Sequence, residues 1–224
     1  MQKNQQPSKG FLIVGNRHYK FYTLALNLIE SIKDYYPEAK ICLVTEEKLC
    51  DGRETIADHI LYCDDHWRAK LWALSKSPFD ITMYIDADAQ IIHKDIKTAF
   101  DYMQDNDMVF TELTAEREYC FAFRTWAGGS LRLCGGVFLY DLRKPLVKEF
   151  MTDWYEYYIK QQNGDWWPLD ENGIPDYINH PLDKLKPWDQ FTLWWLTEKN
   201  LKYKDLKIDI FEDDARWNYF SLYR

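Results

Sequence analysis

Positive charge is scarce in this chain. Its 224 residues hold 28 Lys and Arg against 36 Asp and Glu, a formal net charge of −8, and no basic run interrupts that balance. Nucleic-acid binding needs a basic face that displaces counterions from phosphates, so this composition argues against it. Long apolar stretches are missing as well. No segment of about 18 uninterrupted apolar residues is present to cross a bilayer, and Met1 to Gly10 is too polar for a secretion signal. A soluble, cytoplasmic protein without membrane insertion is the expectation. Cysteine is sparse: Cys42, Cys50, Cys63, Cys120 and Cys134 are odd in number and form no C-x-x-C pair, as expected of reduced thiols rather than a disulfide framework or a zinc site. Repeats, low-complexity segments and linkers are also lacking. One domain over 1–224 is therefore expected, with a flexible tail at 1–10.

Aromatic residues, by contrast, are abundant. They make up 17% of the chain, with 10 Trp and 16 Tyr, against an ordinary apolar fraction of 46%. Such a surplus either fills a core poor in Val and Ala or provides a surface that stacks on a ligand.

The apolar pattern predicts an α/β fold with a mixed, mainly parallel central sheet. Phe11 to Val14 reads as a buried strand opening into the loop Gly15 to Tyr19. Leu24, Leu28, Ile32 and Tyr35 recur at helical spacing until Pro37 stops them. Ile41 to Val44, His59 to Cys63 and Ile81 to Ile85 read as further strands, with a helix marked by Trp67, Leu71 and Leu74 before the last of them. Short apolar strands separated by helices point to a parallel sheet covered on both faces, whose C-terminal strand ends bind ligands. Beyond it, Ile91 to Ile92 reads as a small strand, Ile96 to Met103 as a short helix, Met108 to Thr111 and Gly136 to Tyr140 as strands, and Phe150 to Gln161 as an aromatic helix. The Gly- and Pro-rich stretch 162–187 is predicted to be an acceptor-side loop.

Asp86-Ala87-Asp88 follows the apolar strand that ends at Ile85, whereas the chain's other D-x-D, Asp105-Asn106-Asp107, precedes a strand as a solvated turn would. Two carboxylates at a buried strand end repel each other and lose water, and a divalent cation relieves both costs. Hard oxygen ligands suit Mg²⁺ or Mn²⁺, which keep positions open for water and phosphate oxygens. In an acidic protein such an ion supplies locally the positive charge that a phosphorylated ligand needs. The bland alternative is a strand-end turn that caps the next element.

These residues resemble the family 8 glycosyltransferases, the glycogenin-like retaining enzymes. Lys70-Leu71-Trp72-Ala73-Leu74 followed by Tyr84-Ile85-Asp86-Ala87-Asp88 is similar to the donor-site segment of that family. Cys134-Gly135-Gly136-Val137-Phe138 and then Asp189-Gln190 keep its order, and the resemblance spans about Phe11 to Leu196. It implies a GT-A fold of the Rossmann-like nucleotide-diphospho-sugar transferase type, a Mn²⁺ or Mg²⁺ ion, and a nucleotide-sugar donor, commonly a UDP-sugar and here read as UDP-glucose. It also implies a carbohydrate or other hydroxyl acceptor. Under it, Asp86 and Asp88 are metal ligands, and Ala87 brings its backbone near the ribose. Lys70 lies near the donor, while Asn16, Arg17 and Tyr19 hold the base and ribose at the first strand end. Gly135 and Gly136 line the donor, and Asp189 and Gln190 line the sugar face. Lys70 as an exposed helix lysine, the 16–19 loop as a solvated loop and Asp189 as an N-cap remain open alternatives.

The chain departs from the family at two places. Cys134-Gly135 stands where Asn-Ser is usual, which removes side chains that would hydrogen-bond the sugar. Trp217-Asn218-Tyr219 offers no His-x-x-Gly histidine as a third metal ligand, and His180 in its Pro-rich setting reads as a surface residue, so water is expected to complete the coordination shell. Retention is implied by the resemblance; were the enzyme inverting, Asp189 would be the first choice of general base. Trp154, Trp166, Trp167 and Trp188 are read as an acceptor platform and lid, or as a plug anchoring the loop. A sugar nucleotidylyltransferase and a non-catalytic carbohydrate-binding module are the rival readings. The first wants a Gly-rich phosphate loop that Val14-Gly15-Asn16-Arg17 does not provide, and the second leaves Asp86 and Asp88 without a purpose.

Overall fold

The structure is a computed structural model that describes residues 6–66, 68–112, 133–166, 189–212 and 217. Seven strands among them form one sheet: β1 (Lys9–Val14), β2 (Ile41–Thr45), β3 (His59–Tyr62), β4 (Ile81–Ile85), β5 (Met108–Glu112), β6 (Leu133–Asp141) and β7 (Ile208–Ile210). Their order is β3-β2-β1-β4-β6-β5-β7. β1 pairs in parallel with β2 and β4, β2 with β3, and β5 with β7, while β6 runs antiparallel to both β4 and β5. The mixed, mainly parallel sheet anticipated from the apolar runs is present. The helices are α1 (Tyr19–Tyr35), α2 (Ala69–Leu74), α3 (Pro145–Asn163) and α4 (Asp189–Glu198).

Burial on both faces explains why β1 and β2 read as unbroken apolar runs. Phe11, Ile13, Ile41, Leu43, Met83 and Ile85 point to one face, where Tyr22, Ala25, Leu26, Ile29 and Ile32 of α1 and Ile96, Ala99 and Met103 cover them. Leu12, Val14, Val44, Tyr84 and Phe138 point to the other, under Leu71 of α2, Phe150 and Trp154 of α3, and Leu193 of α4. The period of two along each strand divides the core into these halves. α3 starts with Pro145 at its first turn and stops at Gly164, whose φ of 76° lies in the left-handed region and whose N–H caps the Gln161 and Lys160 carbonyls.

Several element expectations are corrected. Ile91 and Ile92 form no strand: the Ile91 N–H goes to Ser31 Oγ of α1 at 3.1 Å, and Ile92 is exposed. The segment Lys94–Met103 is a 3-10 helix that starts earlier than its apolar face suggested, because His93 Nδ1 accepts from the Asp95 N–H and caps it. β6 begins at Leu133, so Gly135 and Gly136 lie inside the strand. The two-residue overhang Gln162-Asn163 belongs to α3, and β7 was not anticipated. Trp67, Trp167, Trp188, His180 and Cys120 lie outside the described residues. Asp105 to Asp107 sits in the turn before β5, where Asp107 Oδ2 accepts the Lys207 N–H at 2.9 Å.

Candidate active site

β1 and β4 are neighbours, but the chain leaves β1 toward β2 on one side and leaves β4 toward β6 on the other. Such a switch of direction opens a crevice beyond the C-terminal strand ends. Gly15 to Arg17 and Asp86 to Asp88 are the residues at those two ends. β6 runs alongside β4, with Val137 opposite Ile85, and the Asp86 N–H donates to the Gly136 carbonyl at 2.8 Å.

Lys70 stands at the centre. From α2 its Nζ reaches Asp189 Oδ2 at 2.7 Å, the Gly135 carbonyl at 3.4 Å and Asp86 Oδ1 at 3.7 Å, and it lies over the Tyr84 ring. The Tyr84 hydroxyl donates to the same Asp86 Oδ1 at 2.6 Å. Asp86 Oδ2 turns toward Gly136, where an added Cβ would come within 3.0 Å of it. A side chain at 136 would press on that carboxylate oxygen and require it to shift. Among the described residues no group donates a hydrogen bond to Oδ2, and the Asp86 side chain is 41% exposed.

Asp189, the first residue of α4, is almost fully buried and also meets Arg68 Nε at 3.4 Å. Gln190 clamps the start of β6: its Nε2 donates to the Leu133 carbonyl, and its Oε1 accepts the Gly135 N–H at 3.1 Å. Trp154 Nε1 donates to the Asp189 carbonyl at 2.8 Å from a fully buried position. Of the two sequence readings of Trp154, burial removes the sugar-stacking platform. Trp154 is a core anchor beneath the site and offers no face to a sugar. Trp166 packs against Tyr157 and Trp195, with ring centroids 4.7 Å from each.

The first-strand loop is tied together differently. Asn16 Nδ2 donates to the His66 carbonyl at 2.8 Å. Arg17 has a φ of 69° in the left-handed region, its N–H donates to Glu46 Oε1, and its Nε pairs with Asp65 at 3.0 Å. Tyr19 is held by Asp51 at 2.6 Å and Arg53 at 2.8 Å. The structure thus gathers Lys70, Asp86, Gly135, Gly136, Asp189 and Gln190 into one network, with Ala87 and the exposed Asp88 at its rim, and joins Asn16 and Arg17 to the segment before α2. Tyr19 belongs to a separate cluster on α1.

No protein-family model matches this chain, and neither does any curated protein. Solved structures do. The glycosyltransferase GlyE of Streptococcus pneumoniae TIGR4 superimposes with a TM-score of 0.53 at 14% identity, covering 93% of this chain and 46% of GlyE. An active-site mutant of the galactosyltransferase LgtC gives 0.50 at 14% identity, over 76% of this chain and 69% of that one. The fold is the GT-A fold. This chain spans less than half the length of GlyE.

Within the GT-A frame the charges at the strand end are unevenly compensated. The protein packed around the Asp86 carboxyl pushes its pKa up, and Asp189 and Asp88 add to that against the opposing pull of Lys70 and Tyr84. Burial acts on Asp189 in the same direction, but Lys70 and Arg68 outweigh it and hold this carboxyl below the usual range. Desolvation alone would lower Lys70; Asp189 and Asp86 reverse the effect and keep it protonated. Among the described residues no three His, Cys, Asp or Glu side chains form a ready-made metal cage. The donor set at Asp86 and Asp88 still fits a hard cation that takes its remaining ligands from water and phosphate. It consists of carboxylate oxygens, one of them beside Gly136, on a side chain that is partly exposed.

Sequence reading passed over Tyr84, Arg68 and His66. Tyr84 was legible, since residues two apart on a strand share a face and Tyr84 therefore flanks Asp86. Arg68 carried no signal, because its partner Asp189 lies 121 positions away and they are joined through the packing of α4 on α3 and β6 and of α3 on α2.

Proposed function

We propose that this chain is a metal-dependent glycosyltransferase that moves a hexose from a UDP-sugar, UDP-glucose in the first instance, to a hydroxyl acceptor with retention. The observation that carries this reading is the accessible Asp86 carboxylate at the β1/β4 switch point, followed by exposed Asp88 and backed by the buried Lys70–Asp189 pair. Asp86 and Asp88 would hold Mn²⁺ or Mg²⁺, an ion that stabilises negative charge developing on a leaving diphosphate. Tyr84 and Lys70 hold Asp86 Oδ1 from behind, so that Oδ2 stays on the Gly136 side. Lys70 adds a permanent positive charge at the same place. Ala87, Gly135 and Gly136 contribute backbone to the donor pocket, with Asn16, Arg17 and Tyr19 toward the nucleoside.

Asp189 faces the transferred sugar in this reading, with Gln190 holding the β6 backbone that forms the pocket wall. In the transfer the acceptor oxygen bonds to the anomeric carbon as the bond to the diphosphate oxygen breaks, and the acceptor proton leaves with the diphosphate. A general base working near neutrality gains from a raised pKa. Asp189 is held low by two cations, which supports the retaining course over an inverting one with Asp189 as base.

The test is donor hydrolysis with a panel of nucleotide sugars. Manganese-dependent release of UDP by the wild type, reduced by about a hundredfold or more in Asp88→Ala, is expected. Equal release by both proteins would reject the reading. Consumption of UTP with a hexose 1-phosphate instead would assign the crevice to a nucleotidylyltransferase.

A further inference from the structure

Among the described residues three carboxylates are buried: Glu46, Asp141 and Asp189. Asp189 belongs to the site. Asp141 lies opposite Ile81 at the far end of β4 and is held by Arg143 at 2.7 Å. Glu46 has no part in the transfer described. It follows β2, whose Val44 pairs with Val14 of β1, so it stands beside the β1 end at the edge of the sheet where the crevice opens. A buried carboxylate does little for stability, since an apolar side chain of similar volume is often as good or better. What Glu46 adds is an acceptor. Its Oε1 takes the Arg17 N–H, and its Oε2 meets the ammonium of exposed Lys48 at 2.7 Å.

Arg17 is strained at the same place. Among the described residues it is the one residue other than glycine with a φ in the left-handed region, at 69°. A side chain disfavours that region, and such a conformation persists only where several contacts impose it. Here the end of β2 imposes it. Thr45 Oγ1 donates to the Gly15 carbonyl at 2.7 Å, the Gly15 N–H donates to the Val44 carbonyl at 2.9 Å, and Glu46 takes the Arg17 N–H. With the backbone so turned, Asn16 reaches the His66 carbonyl at 2.8 Å and Arg17 Nε meets Asp65 at 3.0 Å. Lys48 spans Glu46 and Asp65, the second at 3.7 Å. Arg17, Asp65 and His66 then line a cavity of about 380 Å³ that also takes in Gln162 and Asn163 at the end of α3. A φ of the usual sign would turn the Arg17 side chain out of this arrangement.

We infer that Glu46 is a positioning residue for the donor: by accepting the Arg17 N–H it locks the β1-end loop in the left-handed turn that presents Asn16 and Arg17 to the nucleoside. This role rests on the reading of those two residues as nucleoside contacts. Glu46 touches neither sugar nor diphosphate in it, so its effect falls on donor affinity and not on the transfer step. Glutamine at 46 keeps an accepting oxygen and loses only the pair with an exposed lysine, which solvent screens. Alanine or leucine loses the acceptor, and leucine still fills the volume.

Amide hydrogen exchange, calorimetric titration of UDP with Mn²⁺ and steady-state donor hydrolysis on the full chain test this. In the wild type the Arg17 N–H should be protected. Glu46→Ala should lose that protection, bind UDP about tenfold more weakly, as the loss of one hydrogen bond to a charged group implies, and raise the donor KM by the same factor with kcat unchanged. Glu46→Leu should give the same readings, and serves where alanine destabilises the fold. Glu46→Gln should keep the protection and most of the affinity, a rescue that general loosening of the fold would not show. The inference is overturned if Arg17 stays protected without the carboxylate, if Glu46→Ala and Glu46→Leu bind UDP as tightly as the wild type, if kcat falls while KM holds, or if glutamine is as damaging as alanine. A wild type that binds no UDP with Mn²⁺ removes the donor reading and this role with it, whereas UDP binding equal in wild type and Glu46→Leu removes the role alone.

Discussion

Lys70 joins two acidic side chains of the site. Its ammonium compensates an almost fully buried Asp189 at 2.7 Å. Removing Lys70 leaves Asp189 with Arg68 alone at 3.4 Å, at a cost of about 2–3 kcal/mol, whereas replacing both members of such a pair by apolar groups of similar volume is often close to neutral. Lys70→Met is expected to lower the stability measured by urea unfolding by that amount, and Lys70→Met combined with Asp189→Leu to recover most of it. A single mutant as stable as the wild type would show that the pair is not desolvated as described. Lys70, Asp86 and Asp189 were all legible in the sequence, as charged residues beside apolar runs. Their mutual contacts were not, because 119 positions separate Lys70 from Asp189 and no local periodicity links α2 to α4.

At the scale of elements, Asp58 shows how a loop locks a helix to a strand. Its carboxylate accepts from Lys33 in the last turn of α1 at 3.1 Å, from Lys40 at 2.7 Å and from the Ile41 N–H at the start of β2 at 3.1 Å. Partial burial alone would raise its pKa, but these donors bring it from an ordinary 3.8 down to about 2. A depressed carboxylate stabilises the fold above its unfolded pKa and loses that contribution as pH falls through its folded one. Stability should therefore decline between about pH 4 and pH 2, by at most about 2 kcal/mol from this group. Asp58→Asn should flatten that part of the unfolding-versus-pH curve, and an unaltered slope would assign the acid sensitivity elsewhere. The long elements α1, β1, β2 and β4 were readable because their apolar periods are clean. β7, the early start of β6 and the 3-10 character of Lys94–Met103 were not, since three-residue edge strands and helix types depend on what pairs with or caps them.

Over the whole molecule the sheet joins two half-cores, and Phe138 binds the second half together. It stacks on Phe110 with centroids 4.8 Å apart, packs against Tyr84 at 5.3 Å, and reaches Trp154 of α3 at 5.7 Å. Phe138→Ala is expected to cost about 3–5 kcal/mol in thermal or denaturant unfolding, and to loosen Tyr84 and Trp154, which carry Asp86 and the start of α4. A loss below about 1 kcal/mol would mean that the half-core collapses around the gap.

The sequence by itself determined the α/β class, the parallel half of the sheet, and the placement of Asp86 and Asp88 at a strand end, because burial on both faces and the strand-to-loop transition are local properties of the chain. Only the tertiary structure decided that Asp189 neutralises Lys70, that Trp154 is an anchor, that Gln190 clamps β6, and that Arg17, His66 and the end of α3 line one cavity. Those facts depend on the antiparallel return of β6 beside β4 and on the packing of α2, α3 and α4 over one face, contacts between residues far apart in the chain that no local pattern encodes.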